Sequence, residues 1–167
     1  PDSGDAYVYF NSPDEPLYST SYPAKVKISG NSVMKKSIEI KYDMEIPKSY
    51  DFKNRCRSEE KVTIPVTVKM TLEKESDVLK TDVKFNNTAR DHRMRLLVDT
   101  GILSDMSFAD TPFDIVERNI TPQYPDTMSD VHPNTSFAGI RNGNEGVVVY
   151  TNGNHEYEHL KDNRSAI

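Results

Sequence analysis

The feature that most constrains this chain is a strict two-residue alternation of apolar and polar side chains. Between residues 38 and 46 every second position is apolar or aromatic, and the polar residues Glu39, Lys41 and Asp43 lie between them. The same pattern runs from Val62 to Leu72. Because successive side chains of a strand point to opposite faces, this spacing predicts strands with one buried and one solvated face.

Shorter stretches with the same period predict further strands, at Val8 with Phe10, Val26 with Ile28, Leu79 to Phe85, Met94 to Val98, and Val147 with Val149. No stretch keeps helical spacing over a dozen residues. Turn chemistry predicts tight turns at Ser29–Ser32, Arg141–Gly146 and Asn152–Asn154. These patterns predict an all-β fold, an antiparallel two-sheet β-sandwich that forms a single domain over residues 1–167.

Three features interrupt the alternation. Residues 47–60 are polar and charged, which predicts a long loop. Residues 119–136 contain three prolines, which excludes a helix interior or a central strand there. Pro65 lies inside an alternating stretch and cannot donate a ladder hydrogen bond, so it predicts an edge position or a bulge.

Composition excludes several classes of protein. The net charge of −5 comes without a basic stripe, so we expect no nucleic-acid partner. The single cysteine, Cys56, excludes a disulfide within the chain and a thiolate zinc cage. No apolar run reaches the roughly 20 residues that span a bilayer, so we expect no membrane partner. We favour a cytoplasmic location of the bacterial type, and a secreted or lysosomal location stays open. Pro1 at the start and an apolar run at the end predict a fragment of a larger protein.

A search for catalytic and metal-binding groups predicts neither. His155 and His159 are four residues apart, but on a strand that spacing does not favour chelation. The clustered carboxylates Asp99, Asp105, Asp110 and Asp114 are expected to bond to nearby backbone N–H groups in turns. We therefore expect no catalytic residue and no metal ligand in this segment.

Two residues are candidates for ligand contact. Arg118 ends a predicted strand just before the proline-rich loop, and Tyr7 lies near the start of the first predicted strand. Strand ends that lead into irregular loops often carry ligand contacts, and tyrosine combines an apolar ring with a hydrogen-bond donor. The nearby Arg93 and Arg95 are expected to lie on one solvated strand face.

Several segments follow one another in the order found in a known enzyme family. The run from Val83 to Leu96, which contains Asn-Asn-Thr-Ala-Arg-Asp-His-Arg-Met-Arg, resembles a strand of glycoside hydrolase family 38, the zinc-dependent retaining α-mannosidases. The segments Ala109–Arg118 and Ser3–Tyr7 resemble neighbouring parts of that family. Later segments continue the order: His132-Pro133, Phe137, Gly146–Val149 and His155–Glu158. The resemblance covers nearly the whole chain.

The resemblance implies a β-sandwich module C-terminal to a catalytic barrel that is absent from this chain. The zinc ion, the aspartate nucleophile and the acid/base residue would belong to that other part, so this segment alone is expected to be inactive. Its partners would be its own N-terminal catalytic domain and, through the intact enzyme, an α-mannoside. The resemblance also implies that Tyr7 and Arg118 support the sugar pocket from the sandwich side.

Two other functions stay open at this stage. A free-standing carbohydrate-binding module is compatible with a sandwich fold, although the chain lacks tryptophan and is only 9% aromatic. A purely structural spacer domain is the third hypothesis, and it depends on fold analogy alone.

Overall fold

A computed structural model describes residues 14–121, 131–162 and 164–167. The chain divides into two compact units, Pro1–Arg93 and Met94–Ile167, and each is described by itself. The described residues contain fourteen strands and one turn of 3₁₀ helix, Ser19–Ser21, and every strand pair is antiparallel. The predicted all-β, antiparallel sandwich class is confirmed. The strand expected at Val8 and Phe10 lies outside the described residues.

The first unit is built on a four-stranded sheet, here sheet 1, with strand order β1-β2-β5-β6. Its strands are β1 (Ala24–Asn31), β2 (Lys35–Pro47), β5 (Lys61–Glu73) and β6 (Leu79–Phe85). The two 13-residue strands β2 and β5 pair along their whole length, from Lys35 opposite Glu73 to Pro47 opposite Lys61. These are the segments that the alternation predicted, because a two-residue period gives one apolar face per strand.

The connection between β1 and β2 differs from the prediction. The turn was expected at Ser29–Ser32, but β1 continues to Asn31 through a register shift between Ile28 and Gly30. The reversal follows, where the Ser32 N–H donates to the Lys35 carbonyl at 2.9 Å. A β-bulge adds a residue to one strand without ending it, which accounts for the displacement.

The predicted loop at residues 47–60 contains a small hairpin, formed by β3 (Tyr50–Asp51) and β4 (Cys56–Arg57). Its turn is organised by the Asp51 carboxylate, which accepts the backbone N–H groups of Lys53 and Asn54. Tyr50 is buried, so this polar segment also carries a core side chain. The prediction of an irregular loop was therefore wrong in this part.

Pro65 lies in a part of β5 that has a partner strand on one side and none on the other. It lies opposite Asp43 of β2, whereas pairing of β5 with β6 begins at Val66, opposite Phe85. A residue without a backbone N–H is tolerated there because no ladder bond to β6 is required. The expectation of an edge position is confirmed locally, within a strand that is central elsewhere.

The second unit contains two four-stranded sheets. Sheet 2 has the order β12-β11-β8-β9 and sheet 3 the order β10-β13-β14-β7. Sheet 2 comprises β8 (Met106–Asp110), β9 (Ile115–Asn119), β11 (Phe137–Asn142) and β12 (Glu145–Tyr150). Sheet 3 comprises β7 (Leu97–Asp99), β10 (His132–Pro133), β13 (Glu156–His159) and β14 (Arg164–Ala166).

The core of this unit lies between its two sheets. Ala109 and Ala138 of sheet 2 form one buried cluster with Tyr157 of sheet 3. Small side chains on one layer leave room for a large ring from the other, which is how two sheets fill the space of about 10 Å between them. The second unit is thus a small two-layer sandwich.

Two sequence expectations in this unit have different outcomes. The predicted turns are confirmed, because Gly143 and Gly153 adopt positive φ angles of 58° and 94°. The strand expected from Met94 to Val98 begins only at Leu97, although Leu96 exchanges two backbone hydrogen bonds with Ile167. Arg93 and Arg95 therefore do not share a strand face.

No helix among the described residues is long and apolar enough to cross a bilayer.

Candidate functional site

Arg118 lies on β9, as predicted, and points toward the interior of the second unit. Its backbone carbonyl accepts a hydrogen bond from the buried Ser107 hydroxyl at 3.4 Å, and the two residues are opposite each other in the β8–β9 register. On alternate positions of β9, Val116 and Arg118 are half-buried while Ile115 and Glu117 are exposed. The strand period therefore directs the guanidinium away from bulk solvent.

The Arg118 side chain is held by Tyr157 of the facing sheet. Its Nη1 donates to the Tyr157 hydroxyl at 3.1 Å. Tyr157 is 2% exposed and is among the largest fully buried side chains. Its ring also packs against His132 and His159, with centroid distances of 5.8 and 5.5 Å. A buried phenol needs a polar partner, and Arg118 supplies it.

His159 extends this polar contact deeper into the unit. Its Nε2 lies 3.1 Å from the Gly139 carbonyl, and its Nδ1 lies 2.7 Å from the Ser165 hydroxyl. A carbonyl only accepts, so Nε2 donates, and the neutral ring accepts the Ser165 hydroxyl proton at Nδ1. Burial lowers the pKa of His159, and the nearby His132 adds to that effect against the Gly139 hydrogen bond.

These four residues, Arg118, Tyr157, His159 and Ser165, are called the interior group below. Both ring nitrogens of His159 are occupied and the ring is buried. A general base must be able to reach a substrate proton, so this histidine does not suit acid–base catalysis. The interior group instead joins the two layers of the second unit and fixes the position of the Arg118 guanidinium.

The described residues contain no group of three or more His, Cys, Asp or Glu side chains that could hold a metal ion. The zinc ion implied by the family resemblance therefore does not fit the described part of this chain. His155 is exposed and lies just before β13, while His159 is buried within it. Their four-residue spacing does not produce a chelating pair.

Asp110 organises the loop that precedes β11. Its carboxylate accepts backbone N–H groups from Thr135, Ser136 and Phe137 at 2.9 to 3.0 Å, and the Ser136 hydroxyl at 2.6 Å. Desolvation opposes ionisation, but these hydrogen bonds outweigh it and lower the pKa of Asp110 from 3.8 to about 2. Asp110 bonds to backbone N–H groups, as predicted, but these groups lie 25 to 27 residues further along the chain and not in its own turn.

Asp99 and Asp114 also accept hydrogen bonds from backbone N–H groups, one for each carboxylate. The Asp99 carboxylate accepts the Gly101 N–H at 3.2 Å, and the Asp114 carboxylate accepts the Ile115 N–H at 2.7 Å. Both residues stabilise turns, as the sequence predicted.

An aromatic group lies on the outer face of sheet 2 and was not predicted from the sequence. Phe137 packs between Phe108 and Tyr150, with centroid distances of 6.4 and 5.7 Å, and Tyr150 is 69% exposed. The Arg141 guanidinium lies 5.9 Å from the Phe108 centroid and pairs with Glu117 at 2.6 Å. An exposed ring beside a charged pair is a common recognition surface. We call it the outer aromatic group.

The other candidate residues have different outcomes. Tyr7 lies outside the described residues. Arg95 forms an ion pair with Glu158, which is 15% exposed at its side chain. That contact agrees with a structural role for the basic run.

The chain is similar in sequence and fold to parts of known proteins. No protein-family model matches the chain. A protein of Halalkalibacterium halodurans, provisionally named a mannosylglycerate hydrolase, is 30% identical over 96% of the chain. An α-mannosidase of Enterococcus faecalis V583 has a TM-score of 0.91 at 26% identity over 99% of the chain. The resemblance to glycoside hydrolase family 38 is confirmed.

A second E. faecalis structure, described as a family 38 protein, has a TM-score of 0.88 at 27% identity and again covers 99% of the chain. The chain spans only about a fifth of the length of these relatives, 20% for two of them and 21% for the third. The similarity to family 38 therefore concerns a β-sandwich region of larger proteins.

Proposed function

We propose that this chain is the β-sandwich module of a family 38 glycosidase that hydrolyses α-mannosides. The observation that carries the proposal is the likeness to the E. faecalis α-mannosidase, whose fold matches over 99% of the chain with a TM-score of 0.91. In the longer polypeptide, called the parent enzyme below, the module packs on a catalytic domain and lines one side of its sugar pocket. The module alone is inactive.

Arg118 would contribute to that pocket from a fixed position. Its bond to Tyr157 uses one of the five N–H donors of the guanidinium and orients the group. A second donor would then bind a sugar hydroxyl, and Tyr7 would donate a further hydrogen bond. Zinc, which would bind and orient sugar hydroxyls, would be held by residues of the catalytic domain.

The test replaces the guanidinium and its acceptor separately in the parent enzyme. Arg118→Lys is expected to lower kcat/KM for an aryl α-mannoside about 10- to 100-fold, since a lysine cannot keep both contacts. The comparison variant Tyr157→Phe keeps the guanidinium and removes only the bond that orients it, so it should lower kcat/KM less than Arg118→Lys does and should also lower thermal stability. If Arg118→Lys and the unaltered enzyme had equal kcat/KM, the pocket role of Arg118 would be contradicted and the module would be a structural spacer. Mannosylglycerate is assayed beside the aryl mannoside because one relative is named for it.

One observation favours a second function, carbohydrate binding by the module itself. Tyr150 is exposed above Phe137, and the Arg141–Glu117 pair lies beside the same group. An aromatic face can stack on the C–H side of a sugar ring while charged side chains bind its hydroxyls.

Titration calorimetry of the isolated chain with mannose oligosaccharides tests this second function. Binding that is lost in Tyr150→Ala and kept in Tyr18→Ala, an exposed tyrosine of the first unit, would support it. The absence of heat at millimolar sugar would exclude it.

A further inference from the structure

Sheet 1 has two chemically opposite faces. Its register aligns three rows of side chains across the four strands on one face. The rows are Ala24, Tyr42, Val66 and Phe85; Val26, Ile40, Val68 and Val83; and Ile28, Ile38, Met70 and Thr81. No charged residue occurs in them. These twelve positions are called the apolar face below.

The opposite face of the same strands is charged. One row places Lys27, Glu39, Lys69 and Asp82 side by side. Lys27 and Lys41 both form ion pairs with Glu39, at 3.0 and 3.2 Å. Neighbouring opposite charges of this kind are stable in water, so this face needs no covering layer.

Apart from Ile38, the apolar face is buried or half-buried on the central strands β2 and β5, and it is exposed on the outer strands β1 and β6. Ile64 and Ile46, which continue the same face along β5 and β2, are buried. Toward the outer strands exposure rises, to 64% for Val26 and 70% for Ile28. Val83 and Phe85 of β6 are also exposed. A sheet face of this composition requires a second layer, and among the described residues the outer strands have none.

The twelve positions of the apolar face together cover an area similar to the largest apolar patch of a typical soluble protein, and such patches are often functional. Four strands about 4.8 Å apart and three rows about 6.8 Å apart span on the order of 400 Å² in projection. Continuous apolar patches of that size mark interaction sites, and the absence of charge is typical of the centre of a permanent interface.

We infer that the apolar face is the surface on which this module docks against another part of the parent enzyme. The inference rests on the proposed function, which places the chain in a longer polypeptide. The relatives that match nearly the whole chain are about five times its length, so their remaining polypeptide provides a partner that is always present. The occupant is an uncharged, apolar surface of that polypeptide.

Cysteine labelling distinguishes this occupant from the alternatives. Cys56 is exposed and is first changed to serine. Val26→Cys then places a thiol on the apolar face, and Lys25→Cys places one on the charged face of the same strand. Maleimide reaction at each site is followed by peptide mass spectrometry, in the isolated chain and in the parent enzyme. Ile28→Cys with Lys27→Cys provides a second pair if the first does not fold.

The expected result is rapid labelling of both thiols in the isolated chain, with Val26→Cys at least tenfold slower in the parent enzyme and Lys25→Cys unchanged. Equal labelling of Val26→Cys in both proteins would overturn the inference. Protection in the isolated chain that increases with its concentration would assign the face to a second copy, and would also overturn it. Mannoside hydrolysis is assayed on the same preparations. An inactive parent enzyme with a protected Val26→Cys would contradict the proposed function and leave the docking surface standing.

Discussion

Tyr157→Ala is expected to destabilise the second unit by roughly 3 to 5 kcal/mol, the range for removal of a large buried aromatic side chain. The ring is 2% exposed, contacts two histidines and lies in the core with Ala109 and Ala138. The loss also leaves the Arg118 guanidinium without its Tyr157 acceptor. Urea unfolding followed by circular dichroism measures the change.

Two control variants separate the causes. Tyr157→Phe keeps the ring and removes the hydroxyl, so it should cost about 1 kcal/mol, the usual net value of one hydrogen bond. Tyr150→Ala removes an exposed tyrosine of the same unit, so it should lower the free energy of unfolding much less than Tyr157→Ala does. Similar losses for the two alanine variants would show that Tyr157 is not a core residue.

Asp110→Asn is expected to lower the stability of the second unit by roughly 1 to 3 kcal/mol at pH 7, because an amide nitrogen cannot accept the donors that a carboxylate oxygen accepts. The affected donors are the backbone N–H groups of residues 135–137 and the Ser136 hydroxyl. Unfolding by urea at several pH values measures the effect.

The pH dependence of this stability difference tests whether the ionised Asp110 carboxylate is its cause. The pKa of Asp110 is about 2 in the folded chain against 3.8 ordinarily. A lowered carboxyl pKa stabilises the fold fully above pH 3.8, and that contribution is lost as the pH falls toward 2. The difference between Asp110→Asn and the unaltered chain should therefore shrink below pH 4. Asp105→Asn, at an exposed carboxylate outside this set of bonds, should show a smaller difference at pH 7. A difference that stayed constant down to pH 2.5 would contradict the assignment.

The strands of sheet 1 could be predicted because their signal is local. The residues of β2 alternate from Ile38 to Ile46 and those of β5 from Val62 to Leu72, so the faces of these strands follow from the period alone. The turn roles of Asp99 and Asp114 were also predictable, since aspartate bonds to backbone N–H groups one or two residues along the chain. The backbone partners of Asp110 lie 25 to 27 residues away and could not be predicted from local sequence. The hairpin at Tyr50–Arg57 was not, because its strands have two residues each and lack a period.

The candidate site depends on contacts between distant parts of the sequence. Arg118 was located correctly at the end of a strand, but its partner Tyr157 is 39 residues away. The short β7 depends on β14, which lies more than 60 residues further along the chain. No periodicity encodes which strands of two sheets face each other, so the interior group could not be inferred. Tyr7 lies outside the described residues, and its role stays a prediction.

Pro65 has a consequence for how this protein avoids aggregation. Beyond the end of β6, the segment from Lys61 to Pro65 is paired with β2 only. A half-paired strand of this kind offers a template to which a strand of another molecule can add. Proline withholds one of the donors that such an addition requires, and Lys61 adds a charge at the far end. Pro65 thus disfavours the addition of a strand from another molecule to the part of β5 that does not pair with β6.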